Sequence, residues 1–359
     1  MKAYDVIAIG TGSAMNIVQA VLQSDPEARI AVVDKDPPGG ICLTKGCIPT
    51  KILVYPAQLL QDIEAAGALG IDVQIRSVDF KKIMARMHAA VDPEIERIRR
   101  GLQETEQVDY FPHPASFVAP GRLKVGEEVI TAPTILLCTG SKPKIPPIQN
   151  LSAVPYYTSD TILTIEDRPE RLAILGGGYI AAEFGHFFAA MGTAVTIIGR
   201  NRRFLPEEEP EVSDLAQSVL SGRMGIHLGW EVVAVEAGSG GRKRLLAESV
   251  DGSRRRFEAD TILVAAGRAP NTDILNPEAG GVETDENGWI RVDDRLETTR
   301  QLIQHLSMSL FFDEIARINP QKEIIPQKVG KFKPPPASFD QKRSLLEAKH
   351  NLDIYFDNV

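Results

Sequence analysis

Asp5-Val-Ile-Ala-Ile9-Gly10-Thr-Gly12-Ser-Ala-Met15 is the stretch whose reading decides the fold. Asp5 to Ile9 predicts a short apolar strand, and the glycines after it predict a tight turn into a helix. A second strand is predicted over Ile30 to Val33, ending at Asp34. Strand, glycine turn, helix and strand in this order form a dinucleotide fingerprint. Gly10 makes the turn, Gly12 lets backbone N–H groups approach a pyrophosphate, and the helix start faces its charge. Asp34 is placed to accept from a ribose hydroxyl. The third glycine position holds Met15, which predicts looser packing of helix on strand.

One such pattern is weak evidence, but the chain repeats it. Arg171 to Leu175 predicts another strand, which runs into Gly176-Gly-Gly178-Tyr179-Ile180-Ala181, with alanine at the third position. Two units imply two bound nucleotides. The next strand, Ala194 to Ile198, ends in Gly199-Arg200-Asn201-Arg202-Arg203, where an NAD-selective site would present a carboxylate. Arginines there favour a 2′-phosphate, so NADPH is expected over NADH, the competing reading being a plain basic surface loop.

Between and after these units the pattern alternates between strands and one long helix. Ser77 to Gln107 is charged and amphipathic, with Ile83, Met87, Ala90, Ile95 and Ile98 on one expected helical face and a solvated Glu/Arg face opposite. Ser116 to Val129 predicts a hairpin or meander, and Thr134 to Leu137 a buried strand. Gly229 to Thr261 predicts a three-stranded antiparallel meander, and Ile262 to Ala266 another buried strand. The fold class expected is α/β, with two Rossmann-like domains, parallel sheets and β-meanders.

The chemistry points to Gly39-Gly40-Ile-Cys42-Leu-Thr-Lys-Gly46-Cys47-Ile-Pro49-Thr-Lys51. If the two cysteines pair, their Cα atoms lie about 4.4–6.8 Å apart, so the segment must coil. Gly46 permits a tight turn, and Pro49 suits the first turn of a helix with apolar positions Ile52, Leu53, Leu59, Leu60 and Ile63. Cys47 then sits at a helix start, where a thiolate is favoured. The alternative is a pair of small buried thiols, but glycine and polar neighbours argue against it.

This run resembles the redox-active disulfide segment of the pyridine nucleotide-disulfide oxidoreductases, flavoproteins that include dihydrolipoamide dehydrogenase, glutathione, mycothione and mercuric reductases. The resemblance covers about the first 300 residues. It implies FAD on the first unit and NAD(P)H on the second. Hydride would pass through FAD to a Cys42–Cys47 disulfide, and on to a small disulfide or dithiol. Cys47 would face the flavin and Cys42 would exchange with substrate. Lys51 would lie near the flavin ring with Glu183 as its partner, and Tyr179 would cover the ring until nicotinamide enters. Candidate cofactor contacts are Gly10, Gly12, Ser13, Asp34, Lys35, Gly40, Lys51, Thr139, Gly140, Ser141, Gly176, Gly178, Tyr179, Ile180, Glu183, Arg200 and Gly267. Cys138 is read as core. The resemblance divides the chain into a FAD domain at 1–150, an NAD(P) domain at 151–270, a return to the FAD domain at 271–300 and an atypical tail at 301–359. Competing readings are a diaphorase-like NADPH oxidase and a nucleotide-binding remnant without turnover.

A formal net charge of −8 argues against nucleic-acid or anionic-membrane partners, so phosphate binding must be local. Three cysteines in 359 residues do not make a disulfide scaffold, and the six histidines show no ligand spacing, so no metal is expected. With no leader pattern and no apolar run of about 18 residues, a cytoplasmic protein is expected.

The resemblance stops after Glu297-Thr-Thr299. Residues 301–329 contain no glycine, so the family's closing strand with its Gly-Asp is not recognised there. Neither His305 nor His350 precedes a proline, so the interface domain that makes the family homodimeric is not recognised either. Lysine replaces arginine as the main basic residue after position 300, which suggests a segment of different origin. One helix is predicted around Leu302 to Ile315, followed by linker. Without the domain that carries the family's acid-base histidine, weak disulfide reductase activity is expected.

Overall fold

A computed structural model of the chain describes residues 1–299 and 303–305. Two five-stranded parallel sheets organise it. The first runs Ile303–His305, Thr134–Leu137, Val6–Ile9, Ile30–Val33, Val108–Phe111 from edge to edge. The second runs Tyr157–Thr158, Thr261–Val264, Arg171–Leu175, Ala194–Gly199, Gly225–Leu228. Every residue of Val6–Ile9 and Ile30–Val33 is buried, because a parallel sheet is covered on both faces and its strands read as unbroken apolar runs.

The halves share one plan. An antiparallel meander of Ala115–Ala119, Arg122–Val125 and Glu128–Thr131 is inserted before Thr134–Leu137. Its counterpart, Trp230–Ala237, Lys243–Ser249 and Arg254–Ala259, is inserted before Thr261–Val264. Both meanders carry a register shift, after Phe117 and after Val232. The chain crosses between halves at Ser141–Pro143 and again at Arg268–Pro270, and these two crossings pair antiparallel as one ribbon.

Helices α1 (Ala14–Ser24), α2 (Gly40–Thr44), α3 (Cys47–Ala65) and α4 (Phe80–Glu104) belong to the first half, and α5 (Tyr179–Ala190) opens the second. The Asp79 carboxylate caps α4 by accepting from the Lys82 N–H at 3.0 Å. Leu53 and Ala57 of α3 share one core with Met84, Met87 and Val91 of α4 and with Phe184, Phe187 and Phe188 of α5. The Phe80 ring lies 5.9 Å from that of Phe187 and 6.0 Å from that of Phe188. Each such buried side chain contributes about 1.5–3 kcal/mol, so this cluster presses α5 of the second half onto α3 of the first.

Four expectations change. The buried stripe of α4 is Phe80, Met84, Met87 and Val91, with Leu102 buried near its end; of the expected face Met87 holds, Ile83 and Ile95 are half-buried against the same core, Ile98 is half-buried, and Ala90 is exposed. The facing phenylalanines select that stripe, and they lie far away in sequence. Leu59 of α3 is exposed, since the helix meets α4 and α5 through Leu53 and Ala57. Met15 does not separate helix from sheet, because fully buried Ala14 faces the strand and Met15 packs beside the same core. Ile303–His305 is a strand beside Thr134–Leu137, not the start of a helix, and Ile303 is buried. An apolar strand with an open edge satisfies its backbone by taking a neighbour, and this outweighs weak helical periodicity. The rest of that expected helix and the linker lie outside the described residues.

Candidate active site

The first glycine turn is built by contacts that exclude side chains. Gly10 has φ +106°, and a Cβ there would lie 2.1 Å from the Cys138 carbonyl oxygen. Gly40, at φ +68°, packs on Gly12, where an added Cβ would come within 2.5 Å of the Gly12 Cα. The Asp34 carboxylate accepts from the Thr11 N–H at 2.8 Å and from the Thr11 hydroxyl at 2.6 Å, while its other oxygen accepts from the Asp36 N–H at 3.0 Å. The Thr11 hydroxyl in turn accepts from the Gly39 N–H at 3.0 Å. Strand end, glycine turn and cysteine segment are thus one bonded unit. Ser13 precedes α1 without a side-chain cap, which leaves the helix's first N–H groups facing the turn. Lys35 is exposed and pairs with Asp36 at 2.7 Å.

The turn after Thr134–Leu137 is pinned from the second crossing. Asn271 donates from its side chain to the Thr139 carbonyl at 2.8 Å and from its backbone to the Gly140 carbonyl at 3.2 Å. Arg268 donates to the Ser141 hydroxyl at 2.7 Å and to the Ser141 carbonyl at 2.6 Å. Cys138 is half-buried against the core that includes Ala14 and Ile17.

Cys47 is the first residue of α3, with Gly46 before it, and Cys42 lies in the short α2. Both are thiols, Cys42 half-buried and Cys47 exposed. Burial, then the Cys47 side chain that accepts the Cys42 proton, pushes the Cys42 thiol up to about 11. Opposing this, the backbone N–H groups of Cys47 and Ile48 lie against the Cys42 sulfur, so the α3 start addresses Cys42 where the sequence pointed to Cys47.

Lys51, one helical turn beyond Cys47, pairs with Glu183 of α5. Glu183 lies one turn after Tyr179, which is 58% exposed and lines a cleft of about 760 Å³. The pair thus joins the helix that starts at Cys47 to the helix whose first turn lines the cleft.

The second glycine turn repeats the first. Gly176 has φ +130°, and a Cβ there would meet the Ala265 carbonyl oxygen at 2.1 Å, as at Gly10 with Cys138. Gly178 precedes α5, again with no side-chain cap. Gly176, Gly178, Ile180, Arg200 and Gly267 line the cleft, as do Trp230 and Trp289. Its volume falls within the range of about 300–1,000 Å³ usual for small-molecule sites. Arg203 is committed to Asp214 at 3.1 Å. Glu207, Glu208 and Glu231 also line the cleft, so carboxylates reach it from a following turn and from the meander, although the strand end itself carries none.

Sequence reasoning missed Thr11, Lys45, Asp160, Arg268 and Asn271. Thr11 and Lys45 lay inside the quoted glycine and cysteine runs, and Arg268 and Asn271 close after the expected contact Gly267, but in each case the partner is far away in sequence and no local pattern points to it. Among the described residues, no group of three potential ligands is arranged for a metal, and no helix is long and apolar enough to cross a membrane.

A family model for pyridine nucleotide-disulphide oxidoreductases matches residues 4–303. A mercuric reductase of Staphylococcus aureus is 30% identical over 300 residues, covering 84% of this chain and 54% of its own. A mycothione reductase of Mycobacterium tuberculosis is 34% identical over 307 residues, covering 83% and 64%. Among solved structures, the Cu(II) complex of the HOCl-induced flavoprotein disulfide reductase RclA from Escherichia coli superposes with a TM-score of 0.74 at 29% identity, over 86% of this chain and 66% of that one. The chain therefore spans about half to two thirds of the length of the proteins it matches.

Proposed function

The chain belongs to the pyridine nucleotide-disulphide oxidoreductase family, and on that premise we propose that it carries hydride from NAD(P)H through FAD to a Cys42–Cys47 disulfide and on to a small disulfide. The observation that carries this reading is the Lys51–Glu183 pair, which joins the helix that starts at Cys47 to the helix that starts at the cleft.

FAD, when bound, supplies a two-electron carrier between nicotinamide and disulfide. The first turn fits it. Gly12 and Gly40 leave backbone, not side chains, toward a pyrophosphate, and uncapped α1 offers N–H groups to its charge. Asp34, which now accepts from Thr11, would be the acceptor for the adenosine ribose, and Ser13, Lys35, Thr139, Gly140 and Ser141 would complete the residues that hold FAD. The second turn, with Gly176, Gly178, Ile180, Arg200 and Gly267, takes NAD(P)H. NADPH is preferred through Arg200, although the carboxylates in the cleft keep NADH within reach.

Lys51, oriented by Glu183, holds a positive charge where reducing equivalents pass between halves. Tyr179 covers the site and moves aside for nicotinamide. In the dithiol, burial and the hydrogen bond to Cys47 hold the proton on Cys42, and Cys47, the more exposed sulfur, would be the one to face the carrier. Cys42, the protonated partner, must lose that proton to attack an external disulfide. The compartment proposed is the cytoplasm, where a dithiol is kept reduced.

The test is a visible spectrum before and after anaerobic NADPH. A yellow protein whose reduction raises a long-wavelength thiolate band supports the proposal. Failure to retain or take up FAD overturns it. Cys42→Ser must abolish disulfide turnover while leaving flavin reduction intact; an unaltered chain that turns over quinone or oxygen but no disulfide, with a rate Cys42→Ser leaves unchanged, indicates a diaphorase.

A further inference from the structure

Lys45 occupies the junction between the two helices that carry the thiols. It ends α2, three residues after Cys42, and Gly46 alone separates it from Cys47. Its side chain is only 29% exposed, and its ammonium lies 3.9 Å from an Asp36 oxygen and 4.0 Å from an Asp160 oxygen. Asp36 belongs to the same half, just after the turn-binding Asp34. Asp160 belongs to the other half, two residues after the edge strand Tyr157–Thr158.

Asp160 is not a loose surface acid. It is 21% exposed, accepts from the Ser159 hydroxyl at 3.1 Å, and lies 3.8 Å from the Arg268 guanidinium. Arg268 is 18% exposed and holds both the hydroxyl and the carbonyl of Ser141. The line Lys45, Asp160, Arg268, Ser141 therefore ties the cysteine loop to the ribbon formed by the two chain crossings.

We propose that Lys45 is a positioning residue for the Cys42–Cys47 pair, acting through Asp160 to hold the two sulfurs in contact. This rests on the reading of those cysteines as a redox pair. With the loop anchored at its junction, each thiol meets the other at high effective concentration; with the anchor cut, the loop gains freedom and the disulfide becomes less favourable relative to the dithiol.

The experiment is a redox equilibrium of the chain with glutathione. Two protein thiols and one oxidised glutathione give one protein disulfide and two reduced glutathione molecules, and alkylation with mass spectrometry counts the Cys42–Cys47 disulfide. Lys45→Met and Asp160→Asn are each expected to lower the equilibrium constant about three- to fivefold, the scale of a partly shielded ion pair. The double variant is expected to fall short of the sum of the two single effects, because both substitutions cut the Lys45–Asp160 link. Lys45→Arg is expected to restore the unaltered value. Cys138→Ser serves as background to remove a third thiol from the count. Unchanged constants, or strictly additive effects, overturn the inference while leaving the proposed function standing. No Cys42–Cys47 disulfide in the unaltered chain under any glutathione ratio overturns both.

Discussion

Replacing Cys47 by alanine tests how the thiol pair shares its proton. In the unaltered dithiol, Cys42 titrates at about 11, first because it is partly buried and then because Cys47 accepts its proton. At pH 8 the thiolate share of Cys42 is then about one in a thousand, against about one in four for an ordinary cysteine near 8.5, so alkylation at Cys42 is slowed by about two orders of magnitude. Cys47→Ala removes the acceptor but keeps the burial and the backbone N–H groups of residues 47 and 48. A lower pKa means more thiolate at a given pH, so Cys42 alkylation accelerates. The acceleration stays well short of the full two orders because burial is the larger cause. The assay is iodoacetamide labelling of the reduced protein from pH 7 to 10.5, with mass spectrometry of the Cys42 peptide. The pH dependence is read rather than the absolute rate, since access to a half-buried sulfur scales every rate alike. The expected profile of the unaltered protein is still rising at the top of the range, and that of the variant bends lower. A Cys42 profile that levels near pH 8.5 in the unaltered protein, or one that Cys47→Ala leaves unmoved, refutes the shared proton.

Gly40→Ala forces a Cβ to within 2.5 Å of the Gly12 Cα at positive φ, and is expected to cost about 1–3 kcal/mol of stability together with flavin retention, checked by melting and by the visible spectrum. Gly176→Ala drives a Cβ to 2.1 Å from the Ala265 carbonyl; NAD(P)H binding, measured by titration, is expected to fall at least tenfold while flavin content holds. Glu183→Gln leaves Lys51 without its charged partner, and anaerobic stopped-flow is expected to show flavin reduction slowed by about tenfold, or about 1.4 kcal/mol. Arg200→Glu is expected to reverse the preference for NADPH over NADH, read as the ratio of their binding constants.

Local patterns carried most of the fold. Both glycine turns, both meanders and the buried parallel strands were legible because each is specified within about a dozen residues, by an apolar run, a glycine at positive φ or a turn residue. On α4 the expected face held at Met87 and, half-buried against the same core, at Ile83 and Ile95, but failed at exposed Ala90 and left out Phe80, Met84 and Val91, which the distant Phe187 and Phe188 bring into the core. Ile303–His305 was misread because three residues carry no period of their own; the open edge of Thr134–Leu137 selects them. At the site, the cysteines stood out by type and spacing, and Lys51, Glu183 and Tyr179 followed only from the family resemblance, whereas the acids lining the cleft did not show, since Glu207, Glu208 and Glu231 approach it from segments with no nucleotide pattern.

The amino-acid sequence alone determined that this chain folds as two dinucleotide-binding halves with a two-cysteine loop in the first, because strand, turn and helix signals act between near neighbours. Only the tertiary structure decided how those halves meet. Lys45 finds Asp160 and Arg268 finds Ser141 across more than a hundred residues of chain, and the Lys51–Glu183 pair, expected through the resemblance alone, forms across a similar span. Such pairs are chosen by the packing of α5 on α3 and by the paired crossings, and no local preference of the residues themselves encodes them.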